Sequence, residues 1–183
     1  MRYSIFVCVC LFCSSNLYAQ SSVYQQQIQD KNGKQVSISS FASKKILITL
    51  CNAYSPDVAR LKVLDKLSKN NGASLQVIVV PLVDIDSPSS GSTVRSPILD
   101  TMTTSFIICK EGGGKKKNGS NQISLLKWLT NKSGNVHLDV DLQNSNQMFV
   151  IGENGILYAE LFGTDDISNG NLAGVLKAKP PDN

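Results

Sequence analysis

ILITLCNAYSPDVARLKVLDKL, residues 46–67, changes character at its middle. From Lys45 to Cys51 the chain is almost continuously apolar and β-branched, which suits a central strand covered on both faces. After Ser55 the spacing becomes helical. Val58, Leu61, Leu64 and Leu67 recur three apart with Arg60, Lys62, Asp65, Lys66 and Lys69 among them, an amphipathic helix ending near Gly72. The break is Ala53-Tyr54-Ser55-Pro56, where Ser55 reads as the helix N-cap and Pro56 as the first helical position. Asp57 then favours the positive end of the helix dipole.

The chain on either side gives this segment a context. Leu75 to Val80 reads as a second strand stopped by Pro81, so strand, helix and strand form a βαβ unit with a parallel sheet. Upstream, Val23 to Ile28 and Val36 to Phe41 flank Asp30-Lys31-Asn32-Gly33-Lys34 as a β-hairpin, because Asn-Gly supplies the positive φ angles of a tight turn. Downstream, Asp84 to Thr104 reads as a long surface excursion with one helical turn after Pro97, and Phe106 to Cys109 as a short apolar piece. The segment EGGGKKKNGSN, residues 111–121, reads as a flexible basic loop, since Gly and Lys at this density do not pack. Ser124 to Asn131 looks helical, with Leu125, Trp128 and Leu129 on the core side. A second hairpin comes next, Met148 to Ile151 and Ile156 to Phe162 about Glu153-Asn154-Gly155, and then a short helix from Leu172 to Lys177.

Residues 1–19 carry Arg2, an apolar run from Ile5 to Phe12 and a small residue, Ala19, before Gln20, the pattern of a cleavable secretory signal. The run is too short for a permanent membrane span, so the expected product is residues 20–183, a single domain, secreted or periplasmic. Cys8, Cys10 and Cys13 would leave with the leader, and only Cys51 and Cys109 would remain. Two cysteines allow one disulfide but no dense framework, and nothing in their spacing brings them within bonding distance. The net charge of +4 falls to +3 when Arg2 goes. Scattered lysines without an aromatic stacking platform give no argument for nucleic acid.

The order hairpin, βαβ, excursion, helix, hairpin, helix resembles the thioredoxin fold, an α/β fold whose central mixed sheet is flanked by helices, here with an extra N-terminal β-hairpin. Asp30-Lys31-Asn32-Gly33-Lys34-Gln35-Val36-Ser37-Ile38 is similar to the D-x-x-G-K-x-V-S-L opening of redoxins and glutathione peroxidases, and Lys45 to Ala53 to their first core strand. Phe149-Val150-Ile151-Gly152-Glu153-Asn154-Gly155 is similar to their late F-L-I-D-x-x-G hairpin. Lys117-Asn118-Gly119-Ser120-Asn121, followed by Leu125-Leu126-Lys127-Trp128-Leu129, resembles the V-N-G-x-N-A-H-P-L-Y-K-W-L segment of glutathione peroxidases, which makes that family the nearer relative. TlpA-like thiol-disulfide reductases are the second choice, on the match of the Ser55 turn to their W-A-T-W-C-P-P-C turn.

The resemblance implies a site whose chemistry is missing. The peroxidatic cysteine or selenocysteine falls on Ser55, the glutamine of the P-x-N-Q turn on Asp84, and the tryptophan and asparagine of W-N-F on Asn144 and Ser145. On the TlpA-like alignment the C-x-x-C cysteines become Ser55 and Val58, and the cis-proline position becomes Asn146. A serine hydroxyl does not replace a thiolate, being far less acidic and having no stable sulfenic counterpart. A serine nucleophile needs a positioned base, and the sole histidine, His137, is distant in sequence.

The expectation is therefore an exported protein without cofactor or metal, in a binding or structural role toward a small thiol or a protein partner. The alternative is an atypical peroxidase or thiol-disulfide oxidoreductase using Cys51 or Cys109. Cys51 reads as a buried, unactivated thiol inside the strand, and Cys109 as a partly exposed one. The aspartate pairs Asp84/Asp86 and Asp139/Asp141 read as solvated faces rather than cation ligands. Lys115, Lys116 and Lys117 offer a docking surface for an acidic partner.

Overall fold

The computed structural model describes residues 22–86, 94–163, 167 and 170–179. The leader at residues 1–19, part of the excursion (87–93) and the tail from 180 lie outside the described residues. Strand β1 is Gln27–Gln29, β2 Gln35–Ser37, β3 Lys45–Asn52, β4 Leu75–Leu82, β5 Ile107–Ile108, β6 Met148–Ile151 and β7 Leu157–Leu161. The helices are α1 (Val58–Asn71), α2 (Ile98–Thr101), α3 (Ser124–Thr130), α4 (Lys132–Asn135) and α5 (Asn171–Lys177).

Five strands form one mixed sheet in the order β5-β4-β3-β6-β7. β3 runs parallel to β4 and antiparallel to β6, and all eight of its residues are buried, in keeping with its nearly continuous apolar run. One face packs Ile46, Ile48, Leu50 and Phe149 against Leu125, Leu126 and Leu129 of α3 and against Val23, Ile28 and Ile38 of the N-terminal ribbon. The other packs Leu47, Val77 and Val150 against Leu61 and Leu64 of α1, Leu99 of α2 and Leu172 of α5. The α/β expectation with an N-terminal antiparallel pair holds.

Four local expectations are corrected. Val23–Gln25 and Ile38–Phe41 are 3-10 turns, not strand, because the hydroxyls of Ser22 and Ser37 accept from the N–H groups of Tyr24 and Ser39 and draw the backbone into turns. β4 continues through Pro81 to Leu82. The Pro81 carbonyl accepts from Gly112 at 3.2 Å, so its missing N–H faces the chain beyond the end of β5 and removes no bond to β3.

The Gly-Lys segment is a packed loop. Asp84 accepts from the N–H groups of Gly114 and Lys115, each at 2.9 Å, and from the Asn118 side-chain amide. Lys116 N–H donates to Asp141 at 2.9 Å while its ammonium pairs with Asp139; Asp84 is a half-buried anchor rather than a solvated carboxylate, whereas Asp139 and Asp141 remain exposed. The glycines allow the fit, since a Cβ on Gly114 would stand 2.7 Å from Leu142 and 2.9 Å from Leu82.

The two ends of the sheet differ. The turn of the N-terminal ribbon closes the β5 end: Lys31 N–H donates to the Ile108 carbonyl and Lys110 N–H to the Gln29 carbonyl, both at 2.8 Å, with Asp30 bridging to Cys109. Among the described residues β7, at the opposite end, forms a ladder with β6 alone.

Candidate functional site at the β3–α1 turn

β3 ends on Asn52, which is buried and organises the next three residues. Its side-chain oxygen accepts from the N–H groups of Tyr54 at 2.8 Å and Ser55 at 3.1 Å, folding residues 52–55 into an Asx turn. Its amide donates to the carbonyls of Ile85 at 3.2 Å and Asp86 at 3.1 Å, joining this turn to the one after β4.

Ser55 is exposed and is not the N-cap. That role belongs to Asp57, whose carboxylate accepts from Arg60 N–H at 3.0 Å, and the helix begins at Val58. A carboxylate at this position also meets the partial positive charge of the helix end, so it outcompetes the hydroxyl two residues earlier.

The structure brings together the turns that carry Ser55, Asp84 and Ser145. Asp86 links them, its carbonyl held by Asn52 and its carboxylate accepting from Ser145 N–H at 2.9 Å. Asn144 turns its side-chain oxygen onto Asn146 N–H at 2.9 Å. Asn146, the position aligned with a cis-proline, is preceded by a trans bond, and no described peptide bond is cis. Asp84 does not face the turn as a free polar group. Burial works to raise its pKa, but the N–H groups of Lys115 and Gly114 and the Asn118 amide prevail and hold it below the ordinary carboxyl value.

No protein-family model matches this chain, and no curated protein does. Among solved structures, Trgpx in its apo form superposes with a TM-score of 0.62 at 16% identity, over 88% of this chain and 99% of that one. GPX1 of T. cruzi gives 0.60 at 16% identity, over 83% and 95%. A putative thioredoxin from Neisseria meningitidis gives 0.52 at 19% identity, over 85% and 89%. The fold is thioredoxin-like. Within it, glutathione peroxidase-like and thioredoxin-like proteins are the structural neighbours.

In this thioredoxin fold neither thiol among the described residues is placed to react. Cys51 is 5% exposed, on the face covered by α1, and burial pushes its pKa up to about 12 against the opposing pull of Arg60 and Arg95. Cys109 is 3% exposed, on the opposite face, and burial again pushes it to about 12, helped by Cys51 and Asp30. The expected exposure of Cys109 is corrected: its N–H continues the ladder onto Val79 at 2.9 Å, and its side chain packs with Ile28 and Trp128 in the core cluster. Neither cysteine is disulfide-bonded.

Two arginines near Cys51 were not evident as site residues from sequence. Arg60 reaches from α1 under the sheet and donates to the Asn146 carbonyl at 2.8 Å, Thr49 Oγ1 at 3.0 Å and the Gly163 carbonyl at 3.3 Å. Helical arithmetic contained the signal, because 60, 64 and 68 share one face and all three are buried. Arg95 forms ion pairs with Asp100 at 2.9 Å and Glu111 at 3.2 Å, while the next residue, Ser96, donates its N–H to the Ala53 carbonyl. This seats the end of the excursion beside the Ser55 turn.

His137 does not join that turn. It lines a cavity of about 180 Å³ with Leu138 and residues 157–160, and its N–H donates to the Asn135 side-chain oxygen. Lys115 and Lys116 are half-buried and only Lys117 is exposed, which removes most of the expected basic docking surface. Among the described residues no group of three or more metal-ligating side chains gathers, and no helix is long and apolar enough to cross a membrane.

Proposed function

We propose that residues 20–183 form an exported, glutathione peroxidase-like domain of the thioredoxin fold that performs no thiol chemistry and serves a binding or structural role. One observation carries this reading. Ser55 occupies the turn where the resemblance places the nucleophile, while Cys51 and Cys109 are both buried with thiols pushed to about 12. So weakly acidic a thiol leaves almost no thiolate at neutral pH to attack a peroxide or a disulfide. Export rests on the leader-like pattern of residues 1–19. The turn assembled by Asn52, Asp86 and Ser145 offers backbone and hydroxyl groups to a partner rather than a nucleophile.

A second reading, an atypical peroxidase or thiol-disulfide oxidoreductase acting through Cys51, is favoured by the cationic neighbours of that thiol, Arg60 and Arg95. Peroxide turnover by the purified protein with a small thiol or thioredoxin as reductant separates the two. The expected result is turnover no faster than the reductant alone. Turnover abolished by Cys51→Ser or Cys109→Ser would establish the enzyme.

A further inference from the structure

The cavity beside His137 has an unusual wall. Four consecutive residues, Leu157, Tyr158, Ala159 and Glu160, line it. Successive side chains of a strand point to opposite faces, so a cavity touched by four in a row runs along the backbone edge of β7. Among the described residues that edge is open. β7 is the terminal strand, and no described backbone group outside β6 is hydrogen-bonded to the backbone of Leu157–Leu161, while the Tyr158 hydroxyl reaches away to the Val175 carbonyl at 2.6 Å. Native sheets blunt such edges with charged side chains, proline or a bulge; β7 has no proline or lysine, its one register shift lies against β6 at Val150/Ile151, and its single charge is Glu160.

The chemistry of the groove is one-sided. Leu138, Leu157 and Ala159 make its walls apolar, and Glu160 brings a carboxyl. That carboxyl takes the side-chain amide of the fully buried Gln147 from the residue before β6, and among the described residues no lysine or arginine pairs with it. Burial raises Glu160 above its ordinary value against the pull of the Gln147 amide, and His137 and Tyr158 are the other titratable groups lining the groove. A partner that meets every feature carries a backbone for the open ladder, a stem for the walls and a cation for the carboxyl.

We propose that the outer edge of β7 docks an extended peptide, which adds as a further strand and lays a lysine side chain in the groove with its ammonium at Glu160. The mode is strand addition, in which main-chain bonds supply affinity and a side-chain pocket supplies selectivity. A small free amine would satisfy the carboxyl and leave the ladder to water. A second copy of β7 would satisfy the ladder, but Leu157–Leu161 contains no cation, so the carboxyl would stay unpaired. The site is on β7 and not at the Ser55 turn, so it stands independently of the non-catalytic role proposed for that turn.

The test is a titration of the ¹⁵N-labelled full chain with a capped peptide, Thr-Val-Lys-Val-Thr, its norleucine analogue at the lysine, and n-butylammonium. Saturable amide shifts at Tyr158, Ala159, Glu160 and Leu161 are expected with the lysine peptide. The norleucine peptide should bind about tenfold more weakly, and Glu160→Gln should reduce affinity for the lysine peptide about tenfold while sparing the analogue. Equal binding of both peptides, or an unchanged affinity in Glu160→Gln, overturns the proposal. So does n-butylammonium binding as tightly as the peptide, which makes this a small-amine site, or edge shifts that follow protein concentration alone, which makes it a self-association surface. Glu160→Gln amide spectra that retain wild-type dispersion confirm that folding is not what changed.

Discussion

Asp84 holds the N–H group of Gly114 at 2.9 Å, and this contact gives a glycine- and lysine-rich segment a fixed course. The same carboxylate takes Lys115 N–H and the Asn118 amide, so one side chain satisfies three donors. Asp84→Ala leaves those donors half-buried and unpaired, and is expected to lower stability by about 2–3 kcal/mol. Urea unfolding of the two proteins measures the difference. Unchanged midpoints would show that the anchor contributes nothing.

The same residue sets a pH dependence. The folded pKa of Asp84 lies below its unfolded value of about 3.9, so the folded state binds this proton less readily. Its contribution is present above the unfolded value and is lost as pH falls through the folded one. The acid limb of the stability curve should therefore flatten in Asp84→Asn relative to wild type. Equal slopes below about pH 4 would contradict this.

Gly114 and Gly119 lie five residues apart in one loop and should answer alanine differently. At Gly114 a Cβ would overlap Leu142 and Leu82, so Gly114→Ala should cost about 1–3 kcal/mol through overpacking. At Gly119 nothing stands within 4 Å, but φ is +55°, so Gly119→Ala should cost about 1 kcal/mol through backbone strain alone. Thermal unfolding of the pair gives the ranking, and a reversed order would count against it.

Asn52 and Arg60 are the two polar groups that tie the turn to the sheet. Asn52→Ala removes four hydrogen bonds at a buried position and should cost about 2–3 kcal/mol, with faster hydrogen exchange at Tyr54 and Ser55. Arg60→Met keeps the volume but strands the Asn146 carbonyl, and a comparable loss is expected. Protected Tyr54 and Ser55 amides in Asn52→Ala would mean that the turn is held by something else.

A thiol at about 12 is thiolate at roughly one part in 10⁵ at pH 7. Both cysteines should therefore resist alkylation in the folded protein and react on unfolding in denaturant. Rapid labelling of Cys51 in native buffer, followed by mass spectrometry, would revive the enzyme reading.

Periodicity reached the fold because burial writes it directly. The nearly continuous apolar, β-branched run Lys45 to Cys51 suits a covered strand, and the three-residue spacing after Ser55 suits a helix with one wet face. Contacts distant in sequence were not legible. Asp84 meets its loop partners thirty and thirty-one residues on, so composition alone described that loop as flexible. Glu160 meets Gln147 across the last hairpin, and Arg60 meets Asn146 eighty-six residues away. In the cap, a rule about residue types favoured Ser55, and the choice fell to Asp57 because a carboxylate serves both the hydrogen bond and the dipole.

The ribbon turn across Ile107–Ile108 has a consequence for how the sheet can grow. With Asp30, Lys31 and Gln29 occupying one end, β7 is the end of this sheet that the described residues leave uncovered. Edge-to-edge pairing needs two free ends to propagate, and among the described residues this sheet has one. Two copies paired along β7 would each use up their one free edge, so self-association through this strand gives a closed pair.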